Sequence, residues 1–88
     1  MAKNNNTAHK KIVVYSTQHC PYCIAAKKFL RSKRIDFQEI DVTDDDDMRE
    51  KLVRMSGGRE TVPQIFVDGR PIGGYDDLVA LYDSGQTI

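Results

Sequence analysis

Two cysteines separated by two residues are the feature of this sequence with the clearest chemical meaning. Cys20 and Cys23 are the two cysteines of the chain, and together they form one Cys-Pro-Tyr-Cys motif. A structural disulfide is a weak explanation, because so short a loop removes little entropy from the unfolded chain. In a chain whose first residues are polar and lack a secretory pattern, this spacing predicts a redox-active thiol pair.

The residues after Cys20 predict a helix whose N-terminus carries both sulfur atoms. Pro21 suits the first helical turn, where its missing N–H has no partner to lose. If Cys20 caps this helix, its sulfur accepts backbone N–H groups, and the helix dipole stabilises the thiolate. Cys23 follows one turn later on the same face, at disulfide-forming distance. We therefore predict that Cys20 is the nucleophile and Cys23 the shielded resolving thiol.

Charged residues are unevenly distributed along the chain. The 88 residues include 13 basic and 13 acidic side chains, and this zero net charge excludes an overall basic surface for nucleic acid. Residues 1–34 nevertheless hold eight basic residues and no acidic one, whereas residues 35–88 hold five basic and all 13 acidic residues. We expect the basic surroundings of Cys20 to favour its thiolate further.

Metal binding is a weaker interpretation of the same residues. A zinc site at Cys20 and Cys23 needs two more ligands, and the two histidines suit it poorly. His9 lies in a polar stretch, and His19 is too close to Cys20 to complete a tetrahedron easily. The four aspartates at residues 44–47 favour anions at a helix N-terminus over a metal site. We expect no metal, and we rank a chemically inert cysteine pair equally low.

The rest of the sequence predicts one small domain with the element order β-α-β-α-β-β-α. Residues 1–10 predict a disordered leader, and residues 11–88 the domain. The first βαβ unit predicts a right-handed parallel crossover, and the Asp68-Gly69 turn predicts an antiparallel hairpin. The predicted strands are Ile12–Ser16, Ile35–Val42, Pro63–Asp68 and Arg70–Ile72. Three helices are predicted. The first spans Pro21–Lys33, the second is capped by Thr43 or Asp44 and ends at Gly57-Gly58, and the third spans Asp76–Ser84.

Apolar positions predict the buried side of each helix and argue against a membrane protein. Mean hydropathy is −0.52, and no apolar run approaches the roughly 18 residues of a spanning helix. Together with the polar N-terminus, this predicts a protein of the reducing cytoplasm.

The expected buried stripes are Ile24, Ala25, Phe29 and Leu30 in the first helix, Met48, Leu52 and Met55 in the second, and Leu78, Leu81 and Tyr82 in the third.

Four motifs, in their order and spacing, resemble the glutaredoxin family, and in particular its short bacterial members with two active-site cysteines. They are Cys20-Pro21-Tyr22-Cys23, Thr61-Val62-Pro63, Gly73-Gly74 and Asp76-Asp77. The resemblance covers nearly the whole chain from Ile12. It implies a thioredoxin-like α/β fold, with a four-stranded mixed sheet and three helices, and a cis Pro63 that brings the Val62 backbone beside Cys20. It also implies a monomeric, glutathione-dependent thiol–disulfide oxidoreductase that reduces glutathionylated proteins and protein disulfides.

The same resemblance implies that glutathione is the reducing co-substrate and where it binds. The Val62 N–H and C=O would pair with the backbone of a bound thiol, as in β-augmentation. Arg59 would bind the carboxylate at the glycine end of glutathione. An equally good interpretation is that Arg59 is an ordinary solvent-exposed charge in a loop. The N-terminus of the last helix would bind the γ-glutamyl group, with Asp76 or Asp77 on its amino group, in addition to ordinary capping. The implied glutathione contacts are Tyr22, Arg59, Thr61, Val62, Pro63, Gly74, Tyr75, Asp76 and Asp77.

Two positions depart from the family pattern, and two related functions compete with this interpretation. Thr17 stands where many relatives have lysine, and Tyr75 where close relatives often have cysteine. A thioredoxin is disfavoured because the chain lacks Trp and carries Pro-Tyr between its cysteines. A dimer that holds an iron–sulfur cluster through Cys20 and external glutathione is disfavoured by Pro21.

Overall fold

A computed structural model describes residues 11–85, and seven elements follow one another along them. The predicted leader at residues 1–10 lies outside the described residues, as do residues 86–88. The order β-α-β-α-β-β-α agrees with the sequence prediction. The strands are β1 (Ile12–Ser16), β2 (Gln38–Asp41), β3 (Gln64–Val67) and β4 (Arg70–Gly73), and the helices are α1 (Pro21–Ser32), α2 (Asp46–Met55) and α3 (Tyr75–Asp83).

The four strands form one mixed sheet in the order β2-β1-β3-β4. β1 pairs in parallel with β2 and antiparallel with β3, and β3 pairs antiparallel with β4. Asp68 and Gly69 connect β3 to β4 with φ angles of 51° and 83°. Aspartate and glycine tolerate these left-handed angles, which suit a tight hairpin. The predicted mixed sheet and thioredoxin-like fold are confirmed.

Helices cover both faces of the sheet and enclose two apolar clusters. One cluster joins β1 and β3 to α1 and α3, and its buried members are Ile12, Val14, Ala26, Leu30, Ile65, Val67 and Leu78. The other lies against α2, and its buried members are Val42, Leu52 and Phe66. Alternation along β1 turns Ile12, Val14 and Ser16 towards the first cluster, and Val13 and Tyr15 towards the second. Between residues 11 and 85, no helix combines the length and apolar content needed to cross a bilayer.

The buried face of α1 differs from the predicted one. Cys23, Ala26 and Leu30 are the buried residues of this helix, whereas Ile24 is 48% exposed. The buried positions recur at intervals of three and four residues, so they form the stripe that faces the sheet. The prediction was therefore wrong for Ile24, and it was also wrong for two large residues that are exposed in the other helices, Met55 and Tyr82.

The start of β2 and the N-cap of α2 also differ from the prediction. β2 begins at Gln38 rather than Ile35 because its pairing with β1 extends only from Gln38 to Asp41. Ile35 and Phe37 pack against the first cluster without joining the sheet. The N-cap of α2 is Asp45, whose side chain accepts the Met48 N–H at 3.0 Å. Asp45 is thus one to two residues later than the predicted cap.

Candidate active site

Cys20 is the N-cap of α1, and its sulfur is surrounded by backbone groups. Cys20 Sγ accepts the N–H of Cys23 at 3.2 Å, and its thiol lies 3.8 Å from the carbonyl oxygen of Val62. The Val62–Pro63 peptide bond is cis, as the resemblance implied. Cys20 is half-buried, so its sulfur is accessible from one side. The N–H contact and the helix N-terminus both favour negative charge on this sulfur.

Cys23 is the buried member of the pair. It is 0% exposed, and burial together with its hydrogen bond to Cys20 raises the pKa of its thiol to about 12. The Thr17 backbone and the Lys27 ammonium group act in the opposite direction. At neutral pH Cys23 is therefore a protonated thiol behind the accessible sulfur of Cys20. This asymmetry is the one predicted for a nucleophile and its resolving partner.

Within residues 11–85, several basic side chains lie towards the end of α1 that is far from Cys20. Lys28, Arg31 and Lys33 lie in or just after the second half of α1, away from the N-terminus that carries Cys20. The ammonium group of Lys33 lies 5.1 Å from the ring centre of Tyr82. The expected effect of the charge distribution on Cys20 therefore stays a prediction. Backbone N–H groups and the helix dipole are the stabilising features at Cys20.

A polar network lies between α1 and the sheet. Lys27 Nζ is 2.6 Å from Glu39 Oε2, and the Ser16 hydroxyl donates to the same oxygen at 2.6 Å. These two contacts lower the pKa of the Glu39 carboxyl. Ser16 is 1% exposed although it is polar. Sequence analysis missed this network; the available signal was a serine in register with the buried positions of β1.

The nine residues predicted to contact glutathione surround one groove of about 290 Å³ next to Cys20. They come from three separate segments: the first turn of α1, the loop before β3, and the start of α3. The groove is lined by Tyr22, Arg59, Thr61, Val62, Pro63, Gly74, Tyr75, Asp76 and Asp77. The structure thus brings all the predicted binding residues together.

Asp77 closes one end of this groove by binding two other groups. Its Oδ2 accepts the Gly74 N–H at 2.9 Å and lies 3.3 Å from an Arg59 nitrogen. Gly73, with a φ of 116°, leaves the room for this carboxylate, because a Cβ there would lie 2.2 Å from Asp77 Oδ2. Asp76 is exposed and takes no part in this cap. Asp76 is therefore the better placed of the two carboxylates for a ligand amino group.

The loop that carries Arg59 is held by two polar side chains that sequence analysis did not single out. Gln64 is 3% exposed, and its amide donates to the Arg59 carbonyl oxygen at 2.9 Å. Ser56 Oγ accepts the Arg59 N–H at 3.1 Å. These bonds fix the backbone of the segment that leads to Val62. A glutamine directly after the Thr-Val-Pro motif was the available signal.

Two tyrosines form the outer wall of the groove. The rings of Tyr22 and Tyr75 lie 6.3 Å apart at an interplanar angle of 34°. Tyr22 is 63% exposed, whereas Tyr75 is half-buried and packs against the first apolar cluster. Tyr22 therefore borders the site rather than filling the core.

A second groove, of about 460 Å³, lies at the other end of α1. It is lined by Arg31, Arg34, Ile35, Asp36, Phe37 and Glu39, and contains neither cysteine. Within residues 11–85, no group of three or more His, Cys, Asp or Glu side chains is arranged to hold a metal ion. The smaller groove beside Cys20 is therefore the candidate site for thiol chemistry.

Comparisons with known proteins agree with this geometry. The glutaredoxin family model matches residues 12–72. Glutaredoxin 1 of Rickettsia prowazekii is 41% identical over 83 residues, which cover 93% of this chain and 87% of that protein. Glutaredoxin 3 of Escherichia coli K12 is 47% identical over 70 residues, covering 80% of this chain and 83% of that protein.

Solved structures give the same result. The crystal structure of a buckwheat glutaredoxin–glutathione complex matches with a TM-score of 0.78 at 29% identity, covering 86% of this chain and 71% of that one. The resemblance inferred from the four motifs is thereby confirmed. Because the family model spans more than half of the residues and relatives of over 40% identity span most of the chain, this protein belongs to the glutaredoxin family of glutathione-dependent thiol–disulfide oxidoreductases.

Proposed function

We propose that Cys20 is the nucleophile of this glutaredoxin, that Cys23 resolves its mixed disulfides, and that glutathione binds in the groove beside them. The observation that carries this proposal is the asymmetry of the two thiols. Cys20 is accessible and accepts a backbone N–H at a helix N-terminus, whereas Cys23 is fully buried with a pKa raised to about 12. The thiolate is the reactive form, so only Cys20 is prepared to attack.

Reduction of a glutathionylated protein needs only Cys20. The Cys20 thiolate attacks the sulfur of the glutathione moiety, a Cys20–glutathione disulfide forms, and the protein thiolate leaves. A second glutathione, as its thiolate, attacks the glutathione sulfur of this mixed disulfide. Glutathione disulfide leaves, and the Cys20 thiolate is regenerated.

Reduction of a protein disulfide also needs Cys23. Cys20 attacks one substrate sulfur and forms a mixed disulfide, while the other substrate sulfur leaves as a thiolate. Cys23 then attacks Cys20 Sγ, which forms the Cys20–Cys23 disulfide and releases the second substrate thiolate. Two glutathione molecules subsequently reduce the enzyme. Without Cys23, the free substrate thiol can attack the mixed disulfide and close the original bond again.

The groove supplies groups that complement glutathione along its length. The Val62 carbonyl lies 3.8 Å from Cys20 Sγ, so its backbone is placed to pair with the cysteinyl part of a bound glutathione. Backbone N–H groups at the start of α3 suit the γ-glutamyl carboxylate, and the exposed Asp76 suits the amino group. Arg59 suits the glycine carboxylate, which would compete with Asp77 for the guanidinium group.

The proposal extends to the partners and setting of the protein. We place the glutaredoxin domain at residues 11–88 and expect it to act as a monomer on glutathionylated and disulfide-containing proteins. Both faces of the described sheet are covered by helices of the same chain, which supports a self-contained unit. Glutathione as reductant suits a reducing compartment, and we assign the protein to the cytoplasm on that basis.

The experiment uses Cys23→Ser, which cannot resolve a mixed disulfide. After treatment with glutathione disulfide, mass spectrometry should show one glutathione on Cys20. Amide NMR shifts between the reduced and glutathionylated forms should then concentrate at Val62 and residues 74–77. The groove at residues 31–39 is the internal control and should not respond. Shifts centred on that second groove, or glutathione absent from Cys20, would contradict the proposal.

A further inference from the structure

The network behind Cys23 has no part in the reaction described above, although it adjoins the resolving thiol. Lys27 follows Cys23 by four residues, so both side chains project from the same side of α1. The Lys27 ammonium group is fixed by Glu39 Oε2 at 2.6 Å, and Ser16 fixes that oxygen in turn. The Lys27 side chain is only 19% exposed. A positive charge is thus held in a partly desolvated position one helical turn from a buried thiol.

Cys23 has to ionise in order to resolve a mixed disulfide, and most of its surroundings oppose this. Burial removes water from the thiolate, and the N-terminal cap position belongs to Cys20 rather than to Cys23. Two groups favour the charged form: the Thr17 backbone and Lys27. Lys27 is the one of these two that carries a full charge and can be replaced without changing the backbone.

We propose that Lys27, held by Glu39 and Ser16, is a positioning residue for resolution whose ammonium group stabilises the Cys23 thiolate. This rests on the proposed roles of the two cysteines. In the step concerned, the Cys23 thiol loses its proton to solvent, and the thiolate bonds to Cys20 Sγ. The bond from Cys20 Sγ to the glutathione sulfur breaks, and glutathione leaves as a thiolate that takes up a proton.

Other charged groups near Cys23 do not replace Lys27. In the mixed disulfide Cys20 carries no charge, and the Glu39 carboxylate is bound to Lys27 itself. On β2, the Asp41 carboxylate accepts a hydrogen bond from the Thr43 hydroxyl at 2.6 Å, so it is bound to a different partner. The helix α3 packs against α1. Its titratable group near the Cys-Pro-Tyr-Cys motif is the half-buried Tyr75, which lies beside Tyr22. In the described part of the chain, residues 11–85, Lys27 is thus the cation whose charge favours this thiolate.

A two-phase reaction separates the attack by Cys20 from resolution by Cys23. Reduced protein is mixed with glutathione disulfide, and quenched samples are analysed by mass spectrometry. In the first phase Cys20 takes up one glutathione and releases the other. In the second phase Cys23 expels the bound glutathione and the Cys20–Cys23 disulfide forms. The rate of the second phase, measured between pH 6 and pH 9, reports the ionisation of Cys23.

Lys27→Met should slow the second phase about threefold to tenfold at pH 7, and a higher pH should be needed to reach a given rate. Without the Lys27 charge the pKa of Cys23 rises, which lowers the fraction of thiolate but makes each thiolate more nucleophilic. The first effect is the larger one, because the Brønsted coefficient of thiol exchange is only about 0.4–0.5. The first phase should change by less than about twofold. Lys27→Arg keeps the charge and should restore the second phase. Lys28→Met removes a neighbouring charge from the exposed side of α1 and is the matched control.

Several results would overturn the proposal. One is an unchanged second phase in Lys27→Met, and another is equal slowing of both phases, which would indicate a structural role. Failure of Lys27→Arg to restore the rate would exclude the charge as the cause. If Lys27→Met does not fold, Lys27→Gln keeps a donor for Glu39 and must give the slow second phase. Cys23→Ser tests the resolver role separately, because it must lack the second phase altogether.

Discussion

Gly73 connects the stability of the fold to the shape of the glutathione groove. In Gly73→Ala, the new Cβ would lie 2.2 Å from Asp77 Oδ2, so the carboxylate has to move. That movement removes the Asp77 contact to the Gly74 N–H, the cap of α3, which is worth about 1 kcal/mol. It also removes the half-exposed ion pair with Arg59, worth about 0–1 kcal/mol. The φ of 116° adds backbone strain for any residue with a side chain.

Gly58→Ala is the matched control for this substitution. Gly58 has a nearly identical φ of 112°, but a Cβ there meets no atom within 4 Å. The backbone strain therefore cancels between the two variants, and the lost contacts of Asp77 remain as the difference. We expect Gly73→Ala to have a free energy of unfolding about 1–2 kcal/mol below that of Gly58→Ala, measured by urea unfolding. Equal free energies of unfolding for Gly73→Ala and Gly58→Ala would refute the role of Asp77 as a cap of α3 whose carboxylate occupies the space above Gly73.

Three further predictions concern the thiols, the proposed glutathione groove and the Lys27–Glu39 ion pair. Iodoacetamide at pH 7 should alkylate Cys20 and spare Cys23, whose pKa is raised to about 12; equal labelling would contradict the assignment of the nucleophile. Asp76→Ala should raise the KM for glutathione about tenfold to hundredfold, the scale of one charge-assisted hydrogen bond, with little change in thermal stability; an unchanged KM would exclude the amino-group contact. The pKa of Glu39 is lowered below its usual 4.5 by Lys27, so the pair stabilises the fold above that pH and loses this effect as the pH falls through the lower value. As the pH is lowered below 4.5, the free energy of unfolding should therefore fall less for Glu39→Gln than for the native protein, measured by urea titration. An identical pH dependence would contradict the pairing.

The sequence predicted the fold well, and it predicted residues that line one groove, because each signal was local or part of a spaced motif. Cys20 was predicted as a cap from the proline that follows it, and the structure confirms the cap. The Asp68-Gly69 turn required left-handed angles that both residues adopt in the structure. The nine groove residues were grouped by the family pattern, and their three segments do meet in space.

The errors arose where burial depends on how elements pack. Ile24 is apolar, yet the stripe of α1 that faces the sheet is set by Cys23, Ala26 and Leu30. The ion pair of Lys27 with Glu39 joins a helix to a neighbouring strand 12 residues away, a contact that no local pattern specifies.

The measurement that tests the central claim most directly compares the two cysteine variants on two substrates. Cys23→Ser should retain reduction of a glutathionylated protein and lose most reduction of an intramolecular protein disulfide, because only the second reaction needs internal resolution. Cys20→Ser should lose both, since a serine hydroxyl does not ionise at a helix N-terminus. If Cys23→Ser lost deglutathionylation, or if Cys20→Ser kept either activity, the assignment of nucleophile and resolving thiol would be wrong.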